Sequence, residues 1–434
     1  MDSITLKSLL LEHKNRFLSE KELIKRDVFQ KPDRILDSRE IIFISGVRRC
    51  GKSSLLSLIS EYLLENTEVN KNNILFVNFE DERFINFTVD DFEKLYQTYL
   101  ELENPIGKKY LFFDEIQNIT NWERWINRIY EFEDVKIFIT GSNTSLISSS
   151  VSTSLTGRNR QINIYTFSFK EFLMLNGKKY KERDLLLPEN VVEIKRYFAD
   201  YLKFGGFPEV AKNRDISLAD QYFKDIIYRD VISNYNLRNI KEIRELSLYL
   251  ITNSGSLSSY ETLRKTIQAK NATTIKNYLN MLEGVYLIYS LPKFDFSLKK
   301  QIYNPNKYYI SDLGFYNAIG FKFSENFGRV LENIVFEHLL RSNKELYYWK
   351  SKSGAEIDFV TKEQTKLTDA YQVTYILTPE NREREIRSLT AFSSENNNIN
   401  CYILTNEQEE TINTRYGKIE VLPIWKWLLL NNYG

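Results

Sequence analysis

Ile41-Ile42-Phe43-Ile44-Ser45-Gly46-Val47-Arg48-Arg49-Cys50-Gly51-Lys52-Ser53-Ser54 is the stretch whose reading decides this chain. Its run of apolar residues suits a strand buried on both faces. Glycine and basic residues follow, then a helix over 53–64. Gly46–Ser53 has the spacing G-x-x-x-x-G-K-S. The glycines let the backbone turn tightly, so that successive N–H groups point inward around an anion. The helix that follows adds its positive N-terminal end. Gly46, Val47, Arg48, Arg49, Cys50, Gly51, Lys52, Ser53 and Ser54 are therefore expected to hold the phosphates of a nucleotide. Lys52 would neutralise the β and γ phosphates, and the Ser53 hydroxyl would ligate magnesium. Cys50 reads as a packing residue that could be open to oxidation.

The second half of such a site is expected at Tyr110-Leu111-Phe112-Phe113-Asp114-Glu115, where an apolar strand ends in two carboxylates. Asp114 can join the magnesium shell, and Glu115 can polarise an attacking water as general base. A strand at 74–79 lies between the two motifs in the sequence. With Glu115, it suggests an additional-strand ATPase with a glutamate base, and no Asn-Lys-x-Asp guanine signature occurs. Ile139-Thr140-Gly141-Ser142-Asn143 is another strand ending in small polar residues, from which Asn143 could sense a γ-phosphate. Arg158, in Leu155-Thr156-Gly157-Arg158, could stabilise transition-state charge in its own subunit or a neighbour's, and Arg229 could do so from a later helical segment.

Outside these motifs, composition narrows the classes. The chain has 434 residues, too many for one ordinary core, and roughly three domains are expected. A formal net charge of +1 supplies no global field for nucleic acid, so any such surface must be local. Two cysteines exclude a disulfide framework and fit a reducing, cytoplasmic setting. Two histidines argue against a histidine zinc site or a serine–histidine–aspartate triad. The N-terminal residues lack the apolar core of a signal peptide, and no apolar run is long enough to span a membrane. Strands expected at 41–44, 74–79, 110–113, 135–140 and, more weakly, 161–165 alternate with helices, which argues for a parallel sheet covered on both faces.

The expected organisation is a phosphate-loop core over 1–165, a helical lid over 166–239, a winged helix-turn-helix over 240–320 and an α/β unit over 328–434. In the third segment Ser258 or Ser259 can cap the second helix and Asn271 the third. The third helix would present Lys270, Thr273, Thr274, Lys276 and Asn277. Lys299, Lys300 and Lys307 would lie in the wing and contact phosphates, which makes DNA a candidate partner. A protein partner, or a second copy of the chain, is the alternative.

Taken together, Gly46–Ser53, Leu111–Gln117, Thr140–Asn143, Leu155–Arg158, Phe167–Phe172, Gly205–Glu209, Tyr308–Asp312 and Gly354–Asp358 resemble archaeal and bacterial AAA-type ATPases with a winged helix and a C-terminal nuclease-like domain. The resemblance implies an α/β P-loop NTPase sheet with an additional strand. It implies ATP at 46–54, Mg2+ at Ser53 and Asp114, and a base at Glu115. It names no single cellular role. The last unit resembles the restriction-endonuclease fold, whose chemistry needs acidic metal ligands and a lysine. Glu332 or Glu337, Asp358 and Gln372 are the candidate ligands. Thr374 stands where the lysine is expected, although Lys350, Lys352 or Lys362 could reach in. An altered or inactive nuclease fold is therefore favoured. The readings carried forward are an ATP-driven switch or motor acting with nucleic acid, a signalling ATPase that binds proteins, and an ATP-regulated nuclease.

Overall fold

The computed structural model describes every residue except 1, 31, 144–154, 156, 321–326, 343, 397 and 432–434. Thr156 of the Leu155–Arg158 motif therefore lies outside the described residues. The chain divides into two compact units. The first comprises residues 1–165 with 284–286, and the second comprises 166–283 with 287–434.

The first unit is built on five strands: β1 (Ile41–Ser45), β2 (Ile74–Asn78), β3 (Lys109–Asp114), β4 (Val135–Gly141) and β5 (Asn159–Asn163). All pair in parallel, in the order β2-β3-β4-β1-β5. Every residue of β1 and β4 is buried, as expected for strands covered on both faces. The strand inserted between the loop strand β1 and the carboxylate strand β3 is β4, whereas the 74–79 segment forms the edge strand β2. The expectation that 74–79 is the additional strand is thus corrected. Neighbours in sequence are not neighbours in a crossover sheet. The other edge, β5, reads Asn-Arg-Gln-Ile-Asn and buries only Ile162. Its main-chain pairing with β1 replaces the hydrophobic signal that a sequence reading needs.

Helices cover the sheet. Phe92 stacks on Trp125 at 4.8 Å between ring centroids, and Phe79, Phe84, Phe87 and Phe113 complete an aromatic core. The N-terminal helix α1 (Ser3–Phe17) turns Leu6, Leu9 and Leu10 into that core, and Phe17 stacks on Phe76. Beyond it, Arg26 is buried and donates to the carbonyls of Cys50 (2.9 Å) and Tyr165 (2.6 Å). An arginine fork satisfies two carbonyls that no regular element could reach.

The second unit begins with helices. Ser168 and Glu171 form a capping box on Phe169–Leu175, and Pro188 starts the helix Pro188–Phe204. Within the segment expected as a helical lid, an α-helix at Ser217–Asp225 continues as a π-helix, Ile226–Ser233. Next come the helices Ile240–Thr252, Tyr260–Thr266 and Ala272–Gly284 and the short antiparallel sheet β6 (Leu257–Ser258), β7 (Ile288–Leu291) and β8 (Asn306–Ile310), in the order β6-β8-β7. The order helix, β6, two helices, β7, β8 is that of a winged helix, and the segment between β7 and β8, expected as a wing loop, carries Lys299 and Lys300 on a short helix, Leu298–Tyr303. The unit ends in a six-stranded mixed sheet, order β13-β14-β12-β11-β10-β9. Its strands are β9 (Glu345–Lys350), β10 (Glu356–Glu363), β11 (Lys366–Val373), β12 (Asn400–Thr405), β13 (Glu410–Thr414) and β14 (Gly417–Pro423). Sequence reading missed the β13–β14 hairpin, whose first strand buries no residue fully. Among the described residues, no helix is long and apolar enough to cross a membrane.

The turn Gly205-Gly206 is fixed by Asp312, which is fully buried. Its carboxylate accepts from Gly206 N–H and Gly314 N–H, both at 2.7 Å. Burial pushes its pKa up to about 6 despite these bonds. Gly205 has φ +74°, and a Cβ there would lie 2.0 Å from Asp312 Oδ1. Gly177 also has a positive φ, but a Cβ there would meet nothing within 4 Å. Gly205→Ala is therefore expected to cost about 2–4 kcal/mol in urea unfolding, against about 1 kcal/mol for Gly177→Ala. Equal losses would mean that backbone strain alone, without the Asp312 contact, explains the glycine.

Candidate active site

The loop after β1 and the end of β3 face the same space because β1, β4 and β3 run parallel and adjacent. Arg49 has φ +68° and Gly51 φ +102°. Gly51 serves as N-cap of the helix Lys52–Asn66, and no side chain caps that helix. Its first-turn N–H groups therefore face the loop rather than a serine or aspartate oxygen. A Cβ on Gly46 would fall 2.1 Å from the Ile164 carbonyl, so only glycine fits. Val47, Arg48 and Cys50 are buried, Gly51 and Ser54 are half-buried, and Arg49 and Ser53 are exposed.

Lys52, at 5% exposure, directs its ammonium to the carbonyls of Gly46 (3.2 Å) and Val47 (3.4 Å) and to Glu115 Oε1 (3.4 Å). Burial opposes its charge, but Glu115 chiefly outweighs burial, and its pKa lies above the ordinary lysine value. The Ser53 hydroxyl donates to Asp114 Oδ2 at 2.6 Å. Thr140 Oγ1 donates a short bond to Asp114 Oδ1 and accepts from the Glu115 N–H at 2.9 Å. This threonine fixes both carboxylate residues at once, a positioning role that the sequence reading did not assign to it. Glu115 sits at φ +52°, a left-handed conformation that costs about 1 kcal/mol or more in a non-glycine residue. Gln117 donates to Glu115 Oε2 at 2.5 Å, and Ser142 at 3.1 Å.

The two acids are shifted in opposite directions. Burial and the neighbouring Glu115 raise Asp114, while the hydrogen bonds from Ser53 and Thr140 oppose that rise. Burial also works against Glu115, but Lys52, Gln117, Arg48 and Ser142 together outweigh it and hold its pKa below the usual carboxylate range. Arg48 pairs with Glu80 at 3.0 Å. Asn143 is buried just beyond β4. Cys50 is fully buried, and burial pushes its thiol up. The expectation that it is open to oxidation is therefore corrected, since oxidation follows exposed thiolate.

Arg158 does not join this group. Its carbonyl accepts from Ile41 N–H at the start of β1, the end of the sheet opposite the loop. The strand between spans about 17 Å, beyond the reach of an arginine side chain. Its guanidinium instead bonds Asn127 and lies 2.6 Å from Glu131. The expectation of a role in its own subunit's site is corrected. Arg229 is exposed on the π-helix of the second unit.

The second candidate cluster lies within the second unit, and it too departs from expectation. Glu332, on the helix Phe327–Leu340, and Asp358, on β10, do converge. They converge on the ammonium of Lys307, which lies 3.1 Å and 3.0 Å from them. Glu337 faces Asn333 instead, at 2.7 Å. The wing role expected for Lys307 is thus corrected, because it is buried on β8. Of the lysines expected to reach in, Lys350 pairs with Glu356 and Lys362 with Glu345, each at 3.0 Å, and Lys352 is exposed. Gln372 is buried on β11, and Thr374 lies just past that strand. Among the described residues, no group of three or more His, Cys, Asp or Glu is arranged to hold a metal ion.

Comparison with known proteins gives the chain its relatives. Residues 38–173 match the family described as AAA domain. Residues 195–325 and 327–427 match two families described as domains of unknown function. An uncharacterized protein of Methanocaldococcus jannaschii is 35% identical over 427 residues, covering 94% of this chain and 91% of the relative. One from Haemophilus influenzae is 30% identical over 420 residues, covering 94% and 99%. A solved ORC2 protein of Aeropyrum pernix in its ADP form aligns over 64% of this chain and 90% of that chain at 14% identity, with a TM-score of 0.33. That likeness is too low to bear on function. The identity shared with the archaeal relative along almost the full length of both chains, with the AAA domain at 38–173, means that the chain belongs to a family of AAA-type P-loop ATPases that continue into two domains of unknown function.

Proposed function

We propose that this protein binds and hydrolyses ATP at the Gly46–Ser54 loop and uses the reaction to switch a winged helix that acts with DNA. The observation that carries the first part is the 2.6 Å contact between the Ser53 hydroxyl and Asp114. It brings two hard oxygen donors together beside a phosphate-type loop, a donor set that suits Mg2+. Ser53 and Asp114 would hold the ion, which when bound would neutralise charge on the β and γ phosphates. Loop N–H groups and Lys52 would grip the same phosphates. Lys52 would then exchange its contacts with Glu115 and the loop carbonyls for phosphate oxygens. That exchange would free Glu115 to take a proton from the attacking water as its oxygen bonds to the γ-phosphorus and ADP leaves.

The second part rests on the third helix of the winged arrangement. Asn271 caps it through Thr274 N–H at 2.8 Å, while Lys270, Thr273, Lys276 and Asn277 are exposed around its first turns. Exposed lysines and short polar side chains at a helix start suit phosphate and base-edge contacts in a groove.

Lys52→Ala is expected to abolish ATP binding in a titration with fluorescent nucleotide. Glu115→Gln should bind ATP near the wild-type level while turnover falls by about 100-fold or more. Normal turnover in Glu115→Gln would remove Glu115 from the role of base. Duplex DNA should change the rate of ATP hydrolysis. The double variant Lys270→Ala/Lys276→Ala should reduce the salt dependence of DNA binding by about two counter-ions. Binding that is absent at low salt would leave the winged helix as a protein-binding element.

A further inference from the structure

Outside the nucleotide site, a charged cluster surrounds Lys307. Its side chain is 5% exposed, and its ammonium lies 3.1 Å from Glu332 Oε1, 3.1 Å from Glu356 Oε1 and 3.0 Å from Asp358 Oδ1. An ammonium has three N–H donors, and here each finds a carboxylate. The surroundings are arranged as tightly as the centre. The Tyr309 hydroxyl donates to Glu332 Oε1 at 2.6 Å, and Val373 N–H donates to Asp358 Oδ2 at 3.0 Å. Gln372 Oε1 is buried and accepts no hydrogen bond. Gln372 follows Tyr371, whose partner across the β10–β11 pair is Phe359, so it stands beside Asp358.

Three carboxylates crowded around one point repel one another and need a cation; Glu356, the most exposed of them, also pairs with Lys350 at 3.0 Å, while Glu332 and Asp358 are largely shielded from solvent. Carboxylate oxygens are the donors a hard divalent ion prefers, but as they stand around Lys307 these three are not arranged to hold one. The point where the three carboxylates meet is instead filled by nitrogen from the chain itself. It is delivered by β8, the central strand of the three-stranded winged-helix sheet. We propose that Lys307 is a built-in cation that takes the place of a divalent metal, so that the acidic cluster fastens β8 to the helix Phe327–Leu340 and to β10 and holds no catalytic ion.

The test uses the full chain without nucleotide and Mn2+ as the probe, with free Mn2+ followed by its paramagnetic resonance. Any weak binding at the Ser53–Asp114 site is common to all variants and cancels in the comparison. Lys307→Met keeps the length of the side chain and removes its charge. This variant is expected to gain one Mn2+ site at least about tenfold tighter than any in the wild type, a gap of about 1.4 kcal/mol. The gain should vanish in Lys307→Met/Asp358→Asn. A folded Lys307→Met protein that gains no Mn2+ overturns the proposal. Should Lys307→Met fail to fold, Asp358→Asn alone decides. A Mn2+ titration that superimposes on the wild type supports the proposal, and loss of a wild-type Mn2+ site overturns it.

Discussion

The hydrogen bond from Ser53 to Asp114 is the constraint on which the first unit depends. It joins the loop after β1 to the end of β3, two strands that are not neighbours. Only the insertion of β4 between them sets the spacing, and Thr140 on β4 bonds both Asp114 and Glu115. A change in register of β4 by one residue would turn Thr140 to the other face and leave Asp114 buried with one partner fewer. Sheet order, loop conformation and carboxylate placement are therefore one property rather than three.

Much of this could be read from the residues. The loop spacing, the strand endings at Asp114 and Thr140–Asn143, and the change from alternating strands to helices near residue 166 all carry local signals. What could not be read is spatial adjacency. The 74–79 strand is next to the loop strand in sequence and lies at the far edge of the sheet. Arg158 falls within a recognisable motif, yet it sits at the opposite end of the strands from the phosphate loop. Arg26 carries no motif, yet it holds the Cys50 carbonyl within that loop. A lone arginine in a polar segment gives no indication that it will be buried.

The second unit teaches the same lesson through charge. Lys299, Lys300 and Lys307 look alike in sequence, three lysines within nine residues. Lys299 and Lys300 are exposed, but Lys307 is on β8 with its side chain turned inward to three acids. The element decides this, because Lys299 and Lys300 lie on the short helix Leu298–Tyr303, whereas Lys307 lies on a strand that is buried from Lys307 to Ile310. The glycines at 205 and 206 behave similarly. Gly205 is required by Asp312, about a hundred residues away in sequence, and Gly206 by the Phe167 backbone, so the motif is legible but its cause is not.

Three buried lysines show what governs such groups. Lys136, on β4, directs its ammonium to the carbonyls of Ser38 (2.5 Å) and Glu40 (2.8 Å), and no carboxylate lies within its hydrogen-bond shell among the described residues. Burial pushes its pKa down to about 8. Lys52 has one carboxylate in contact and lies above the ordinary value, and Lys307 has three and lies well above it. Carbonyl dipoles satisfy the N–H donors without offsetting the loss of hydration, whereas each carboxylate supplies a full opposing charge. The order of the three follows the number of carboxylates in contact rather than depth of burial. Of the two lysines paired with carboxylates, the one with a single partner changes partners at lower cost. Lys52 is thus suited to leave Glu115 for a phosphate, while Lys307 is suited to stay where it is.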